Sequence, residues 1–327
     1  MARTVRRVVI GGAGGFLGGE LRRALEAEGA EVRTIGRSGA DASWDDPEAI
    51  LALVDGADAV IGLAGKRVDC RYTERNRAEI LRSRVETTAA LARAIAASER
   101  PPAVWLNAST ATIYRAATDR PQDEATGEIG SGFSENIAES WERALFAPAL
   151  PHTRRVAMRI SIVLGDGPAS GALFRLARLG LGGTQYDGPW PMTRRLRGIG
   201  ARPTDPVPPG WARTRGRQRF SWIHVDDLVA AVRFLLSAEE LSGPVNVTSP
   251  EASDNRSLMR TLRRVVGAPI GLPAPRPVLE VGTWALRSEA EMVLKSRWVR
   301  PSRLLDAGFV FAWTDLEGAL RDVDPGR

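Results

Sequence analysis

The chain has 327 residues, 43% hydrophobic and 26% charged, an ordinary globular composition with length for one large α/β domain and a smaller lobe. One cysteine, Cys70, excludes an intrachain disulfide and a cysteine-rich zinc site, and two histidines, His152 and His224, leave no basis for a His-rich metal site. The net charge of +6 invites a nucleic-acid reading, but residues 184–218 alone hold seven arginines against two acids, so the excess is local and such a surface is a poor reading.

The pattern along the chain is strand, helix, strand, helix, which argues for a parallel sheet with helices on both faces. Val5 to Ile10 reads as a first strand rather than a signal peptide, because glycines cut the apolar run short. Leu17, Leu21, Ala24 and Leu25 follow at helical spacing. Glu31 to Ile35 and Ala59 to Leu63 read as the next strands, and Leu81, Val85, Thr88, Ala92 and Ile95 mark one face of a long helix. Ala103 to Ala108 and Val156 to Ile160 are further strands. Val225, Leu228, Val229, Val232, Leu235 and Leu236 define an amphipathic helix, followed by a short strand from Val245 to Val247 and a helix capped near Asn255. No apolar run approaches the roughly 18 residues that span a membrane, and the cytoplasm is the expected compartment.

Residues 184–218 contain six prolines and read as one long loop, a candidate lid. Its arginines, Arg213, Arg215 and Arg217 among them, would recruit an anionic substrate; a solvated arm or a dimer contact is the plainer reading. The expected architecture is a Rossmann-type doubly wound parallel sheet, residues 1–168 and 220–248. A discontinuous C-terminal substrate lobe, residues 169–219 and 249–327, would complete it.

Between the first strand and helix lies Gly12-Ala13-Gly14-Gly15-Phe16-Leu17-Gly18, with glycines at G-x-x-G-x-x-G spacing. Gly12 would permit the tight turn, Gly15 the approach of a pyrophosphate to the positive helix N-terminus, and Gly18 close packing of helix on sheet. The second strand ends Thr34-Ile35-Gly36-Arg37-Ser38, with no acid from Val32 to Ala40. An acid there would bind the ribose 2′-hydroxyl of NAD; Arg37 instead offers a guanidinium to a 2′-phosphate, which selects NADP(H) unless Arg37 is only a surface residue.

With the glycine loop, Gly62-Leu63-Ala64-Gly65, Ser109-Thr110-Ala111-Thr112-Ile113-Tyr114 and Phe220-Ser221-Trp222-Ile223-His224-Val225-Asp226-Asp227-Leu228, the chain resembles the extended short-chain dehydrogenase/reductases. More closely it is similar to their atypical branch, the YfcH-like homologues of nucleotide-sugar epimerases. Ile80-Leu81-Arg82-Ser83-Arg84-Val85 and Arg300-Pro301-Ser302-Arg303-Leu304-Leu305 support this. The resemblance implies that Gly12, Gly15, Phe16, Leu17 and Gly18 line the pyrophosphate and that Arg37 and Ser38 face the adenosine phosphate. Leu63, Ala64 and Gly65 would border the adenine ribose. Ser109, Thr110, Arg159, Ile160 and Ser161 would stand near the nicotinamide. Tyr114, Trp222 and His224 would be on the substrate side, with Thr110 and Tyr114 as catalytic candidates. Tyr114 also reads as a packing residue, His224 as a turn residue bonding backbone or Asp227, and Asp226 and Asp227 as helix caps.

The superfamily's tyrosine and lysine, four residues apart, are missing: with Trp141-Glu142 as register mark, Ser134 and Ala138 occupy their places. Lys66 stands where an acid is expected and Tyr72 where a tryptophan is usual. The expectation is therefore an NADP(H)-dependent oxidoreductase acting on a small, anionic carbonyl or alcohol compound. A catalytically silent cofactor-binding protein and a sugar-nucleotide epimerase are the alternatives. A small-molecule substrate is the expected partner, and a homodimer is compatible with the reading.

Overall fold

The computed structural model describes residues 5–188, 190–191, 193–206 and 214–326. Its strands are β1 (Arg7–Gly11), β2 (Glu31–Gly36), β3 (Ala42–Ser43), β4 (Ala59–Gly62), β5 (Val104–Thr110), β6 (Arg154–Ile160), β7 (Ile162–Leu164), β8 (Arg219–Phe220), β9 (Trp222–His224), β10 (Gly243–Val247) and β11 (Ser253–Asp254). The α-helices are α1 (Phe16–Ala27), α2 (Pro47–Val54), α3 (Glu74–Ala97), α4 (Phe133–Phe146), α5 (Pro168–Arg178), α6 (Val225–Ser237), α7 (Asn255–Val266), α8 (Arg276–Ala285), α9 (Glu291–Leu294), α10 (Ser302–Asp306) and α11 (Leu316–Asp322).

Seven strands form one sheet in the order β3-β2-β1-β4-β5-β6-β10, every pair parallel. Parallel strands covered on both faces need continuous apolar runs, which Val8-Val9-Ile10 and Ala59-Val60-Ile61 supply. Alternate side chains then divide between two cores. Val8, Ile10 and Ile61 pack with Leu21 and Leu25 of α1 and Leu228 and Val232 of α6. Val9, Val60 and Trp105 pack on the other face with Ile50 of α2, Leu91 and Ile95 of α3, and Leu145 of α4. This is the doubly wound Rossmann arrangement. Its strand order reverses between β1 and β4, where the crevice at the strands' C-terminal ends receives a ligand.

A separate core gathers Leu164, Phe174 of α5, Trp222, Leu258 and Leu262 of α7, and Leu320 of α11. The chain then departs from a simple two-part division. Leu304 of α10, Phe309 and Phe311 return to the first face of the Rossmann sheet.

The cap expected near Asn255 is Asp254, which begins α7 by accepting from the Ser257 N–H at 2.8 Å. His224 is the N-cap of α6, its Nδ1 accepting from the Asp226 N–H at 3.2 Å. Asp227 does not cap. Its carboxylate accepts from the N–H groups of Ala312 and Trp313 at 2.8 and 2.9 Å and pins the C-terminal segment to α6. Among the described residues no helix is long and apolar enough to cross a membrane.

Candidate cofactor and substrate site

The glycine loop leaves β1 and turns at once. The Gly12 N–H donates to the Ile35 carbonyl at 2.8 Å, and Gly12 has φ of +91°, a left-handed value that glycine adopts without penalty. A Cβ on Gly12 would lie 2.8 Å from the Ala64 nitrogen, and one on Gly18 would lie 2.6 Å from the Gly12 carbonyl oxygen. Gly15 differs: a Cβ there meets only the Gly12 oxygen, at an ordinary 3.6 Å. Gly15 is also the N-cap of α1, with no side-chain cap and no acid in the first turn. The positive end of a 12-residue helix is thus open toward the crevice. Phe16 leans on the turn at Gly165 and Gly167, and Leu17 packs against the core.

At the end of β2, Arg37 and Ser38 are exposed, and Arg37 makes no ion pair among the described residues. The next acid along the sequence, Asp41, is already engaged. Its carboxylate accepts from the Thr34 N–H at 2.8 Å and the Thr34 hydroxyl at 2.7 Å, bonds that hold its pKa down. Leu63 donates its N–H to the Gly11 carbonyl, which brings Leu63, Ala64 and Gly65 to the mouth of the crevice beside the glycine loop.

The far end of the crevice is built by strand register. Ser109 of β5 and Asn246 of β10 both lie opposite Arg159 of β6. Arg159 forms a bidentate pair with Glu142 of α4, both bonds 2.8 Å. The Ser109 hydroxyl donates to the same carboxylate at 2.7 Å. Arg159 also donates to the Tyr114 hydroxyl at 2.8 Å, and Tyr114 donates to Asn246 Oδ1 at 3.0 Å. Ser109, Tyr114 and Arg159 are therefore buried in one network, Arg159 bonded to Tyr114 directly and linked to Ser109 through Glu142. Tyr114 is 1% exposed, and burial raises its pKa despite the neighbouring guanidinium. The expectation of Tyr114 as proton donor on the substrate side is corrected: its one hydroxyl proton is committed to Asn246 inside a buried framework. Trp222 is fully buried in the lobe core, and His224 is stacked on Trp313 with Nε2 3.2 Å from Asp322; neither side chain lines a substrate surface.

Thr110 remains half-buried at the end of β5, accepting from the Thr112 N–H at 3.1 Å. Ile160 and Ser161 follow β6, and the Ser161 hydroxyl is buried with no hydrogen-bond partner among the described residues. An orphaned hydroxyl, an uncapped helix end, an open Gly15 and an unpaired Arg37 together fit a phosphorylated nicotinamide dinucleotide.

Sequence reasoning missed a second cluster, at the places of the absent tyrosine and lysine. The Ser134 hydroxyl donates to Glu291 at 3.2 Å and is hydrogen-bonded to Tyr72. Lys295 donates to the Thr112 carbonyl at 2.6 Å and to Glu135. Arg297 Nε donates to the Thr112 hydroxyl at 3.0 Å. Burial pushes the Glu291 carboxyl and the Tyr72 phenol up and the Lys295 amine down. The available signal was compositional: Lys295 is one of two lysines in a chain of 43 arginines.

Two described residues of the basic segment, Thr204 and Arg195, lie against this region. Thr204 accepts and donates at Gly132 and Asn136 at the start of α4, and Arg195 lies 3.7 Å from Glu289. Arg215 and Arg217 are exposed at the root of the segment, where the Arg215 carbonyl accepts from Arg256. Arg213 lies outside the described residues.

Residues 8–132 match the NAD dependent epimerase/dehydratase family, and residues 274–323 match a domain of unknown function (DUF1731). The bovine epimerase family protein SDR39U1 is 32% identical over 97% of this chain and 99% of its own length. The chain belongs to this epimerase family. The family is an atypical extended short-chain dehydrogenase/reductase group, as the motifs imply, and mammalian relatives among it carry the SDR39U1 name. The human member, in a crystal structure with NADPH, superimposes with a TM-score of 0.81 at 30% identity, covering 97% of this chain and 98% of that one. A nucleoside-diphosphate sugar epimerase from Corynebacterium glutamicum gives 0.70 at 25% identity; it covers 98% of this chain, which spans 58% of that one.

Proposed function

We propose that the protein is an NADP(H)-dependent oxidoreductase of a small, anionic carbonyl or alcohol compound. The observation that carries the cofactor choice is the pairing at the end of β2. Arg37 is exposed and unpaired, while Asp41 is bonded back onto Thr34 and is not offered to a ribose hydroxyl. The NADPH held by the human relative supports it.

When bound, the dinucleotide supplies the hydride. The chain's own residues do the rest. The α1 N-terminus and Gly15 seat the diphosphate, Arg37 and Ser38 take the 2′-phosphate, and Ser161 offers its unpaired hydroxyl to the nicotinamide end. Thr110 orients the reacting oxygen. The proton reaches it from the hydroxyl of Ser134, which stands in the tyrosine's place, as the Glu291 carboxyl, pushed toward its protonated form by burial, gives its own proton to Ser134 with the hydrogen bond between them reversing. The framework of Glu142, Arg159 and Tyr114 holds β5, β6 and α4 in register around that point. The cytoplasm is the proposed compartment.

The test is NADPH oxidation, followed by absorbance, across a panel of carboxylated, phosphorylated and neutral carbonyl compounds and quinones. Turnover with an anionic member supports the reading; binding of NADPH without turnover on any member would favour a catalytically silent cofactor-binding protein, a reading supported by Ala138 in the lysine's place. The sugar-nucleotide epimerase reading rests on the name of the Corynebacterium relative. It predicts sugar interconversion with no net cofactor oxidation.

A further inference from the structure

Arg84, on α3, is held from three sides. Its Nη1 donates to the carbonyls of Lys66 at 3.0 Å and Ile80 at 3.1 Å. Its guanidinium lies over the Trp141 ring, 4.9 Å from the centroid, and the Trp141 indole is itself fixed by a 3.0 Å bond to Thr88. Above it the loop after β4 closes at Gly65, where a Cβ would stand 3.1 Å from the Arg84 Cζ. The guanidinium is therefore pre-set in one orientation and half-buried beside the loop that borders the crevice.

No carboxylate pairs with it among the described residues. The titratable groups that act on it are Tyr72 and Cys70, both raised by burial and neutral near pH 7, and desolvation lowers the Arg84 pKa to about 10. Its Nε and Nη2 make no hydrogen bond among the described residues. A desolvated cation without a counter-ion is unfavourable in isolation, and a free guanidinium edge matches the two oxygens of a carboxylate or phosphate. Its place is informative too. Trp141 is three residues beyond Ala138, so the guanidinium over its ring lies about one helical turn along α4 from where the superfamily's lysine would be.

We propose that Arg84 is the seat of the substrate's anionic group, a carboxylate or phosphate carried by the small carbonyl compound. This rests on the oxidoreductase reading above. It moves the anion-recognising role from the exposed Arg215 and Arg217 to a residue fixed beside the crevice.

The experiment uses the full chain saturated with NADP+, so that the dinucleotide's phosphate sites are filled, with oxalate and inorganic phosphate as probes. The melting temperature of the unmodified protein should rise saturably with either anion. Arg84→Met should abolish that response, keep the NADPH dissociation constant within about twofold, and melt at or above the unmodified protein without anion, because an uncompensated cation has gone. Arg84→Lys keeps the charge without the fork and should weaken the anion response at least threefold, which also serves if the methionine variant fails to fold. An unchanged anion response in both variants overturns the proposal. So does a tenfold loss of NADPH affinity with the anion response intact, which would give Arg84 to the cofactor. Failure of the unmodified protein to bind NADPH would instead sink the oxidoreductase reading, and is seen before any variant is made.

Discussion

At the scale of single residues, the site separates groups that are offered to a ligand from groups consumed by the fold. Arg37 is offered. Arg37→Ala should remove most of the preference for NADPH over NADH, about 1.5–3 kcal/mol for a charge-assisted contact, read from the two dissociation constants. Equal affinities in the unmodified protein would refute that assignment. Tyr114 is consumed. Tyr114→Phe leaves an Arg159 N–H and the Asn246 Oδ1 unpaired in the interior, so it should cost ~1–3 kcal/mol in denaturant unfolding. Its effect on turnover should be no larger than that loss explains; a tenfold fall in turnover at unchanged stability would restore it as a proton donor. Nothing in the sequence distinguishes these two residues by type. The difference is whether the tertiary fold supplies partners for the polar atom.

At the scale of elements, the glycine loop shows how one motif serves two purposes. Gly18 is required by packing of α1 on the turn, so Gly18→Ala should cost ~1–3 kcal/mol of stability with or without cofactor. Gly15 is not crowded by the protein, so Gly15→Val should leave the melting temperature of the unliganded protein close to normal while abolishing NADPH binding. Normal titration of that variant would place the cofactor elsewhere. The helix α6 gives a parallel case. Asp227, which reads from sequence as a cap, instead accepts two backbone N–H groups from the C-terminal segment. Asp227→Ala should therefore destabilise by about 1.5–3 kcal/mol and increase hydrogen exchange at Ala312 and Trp313 rather than along α6.

At the scale of the whole molecule, the C-terminal part reaches back to the start of α4, and it does so with buried charge. Glu291 faces Ser134 and Glu135 of α4 and Tyr72 of the loop before α3, with Lys295 and Arg297 on its own stretch. Burial raises its folded-state pKa above the unfolded value of roughly 4.3. The associated stability is full below that value and is lost as pH rises through the folded pKa. Glu291→Gln should accordingly gain stability relative to the unmodified protein as pH rises from 5 to 8; a difference in melting temperature that stays flat over that range would contradict the assignment. The sequence by itself determined the parallel strands, the glycine loop and Arg37, because each is local: an apolar run, a glycine spacing and the residue ending a strand act through their immediate neighbours. It also exposed the missing tyrosine and lysine. What filled their place was decided only by tertiary structure, since Tyr72, Ser134, Glu291 and Lys295 converge from separate stretches of chain. The same holds for Ser109, Arg159 and Asn246, which meet through strand register, and for Arg84, whose lack of a counter-ion is a property of everything packed around it.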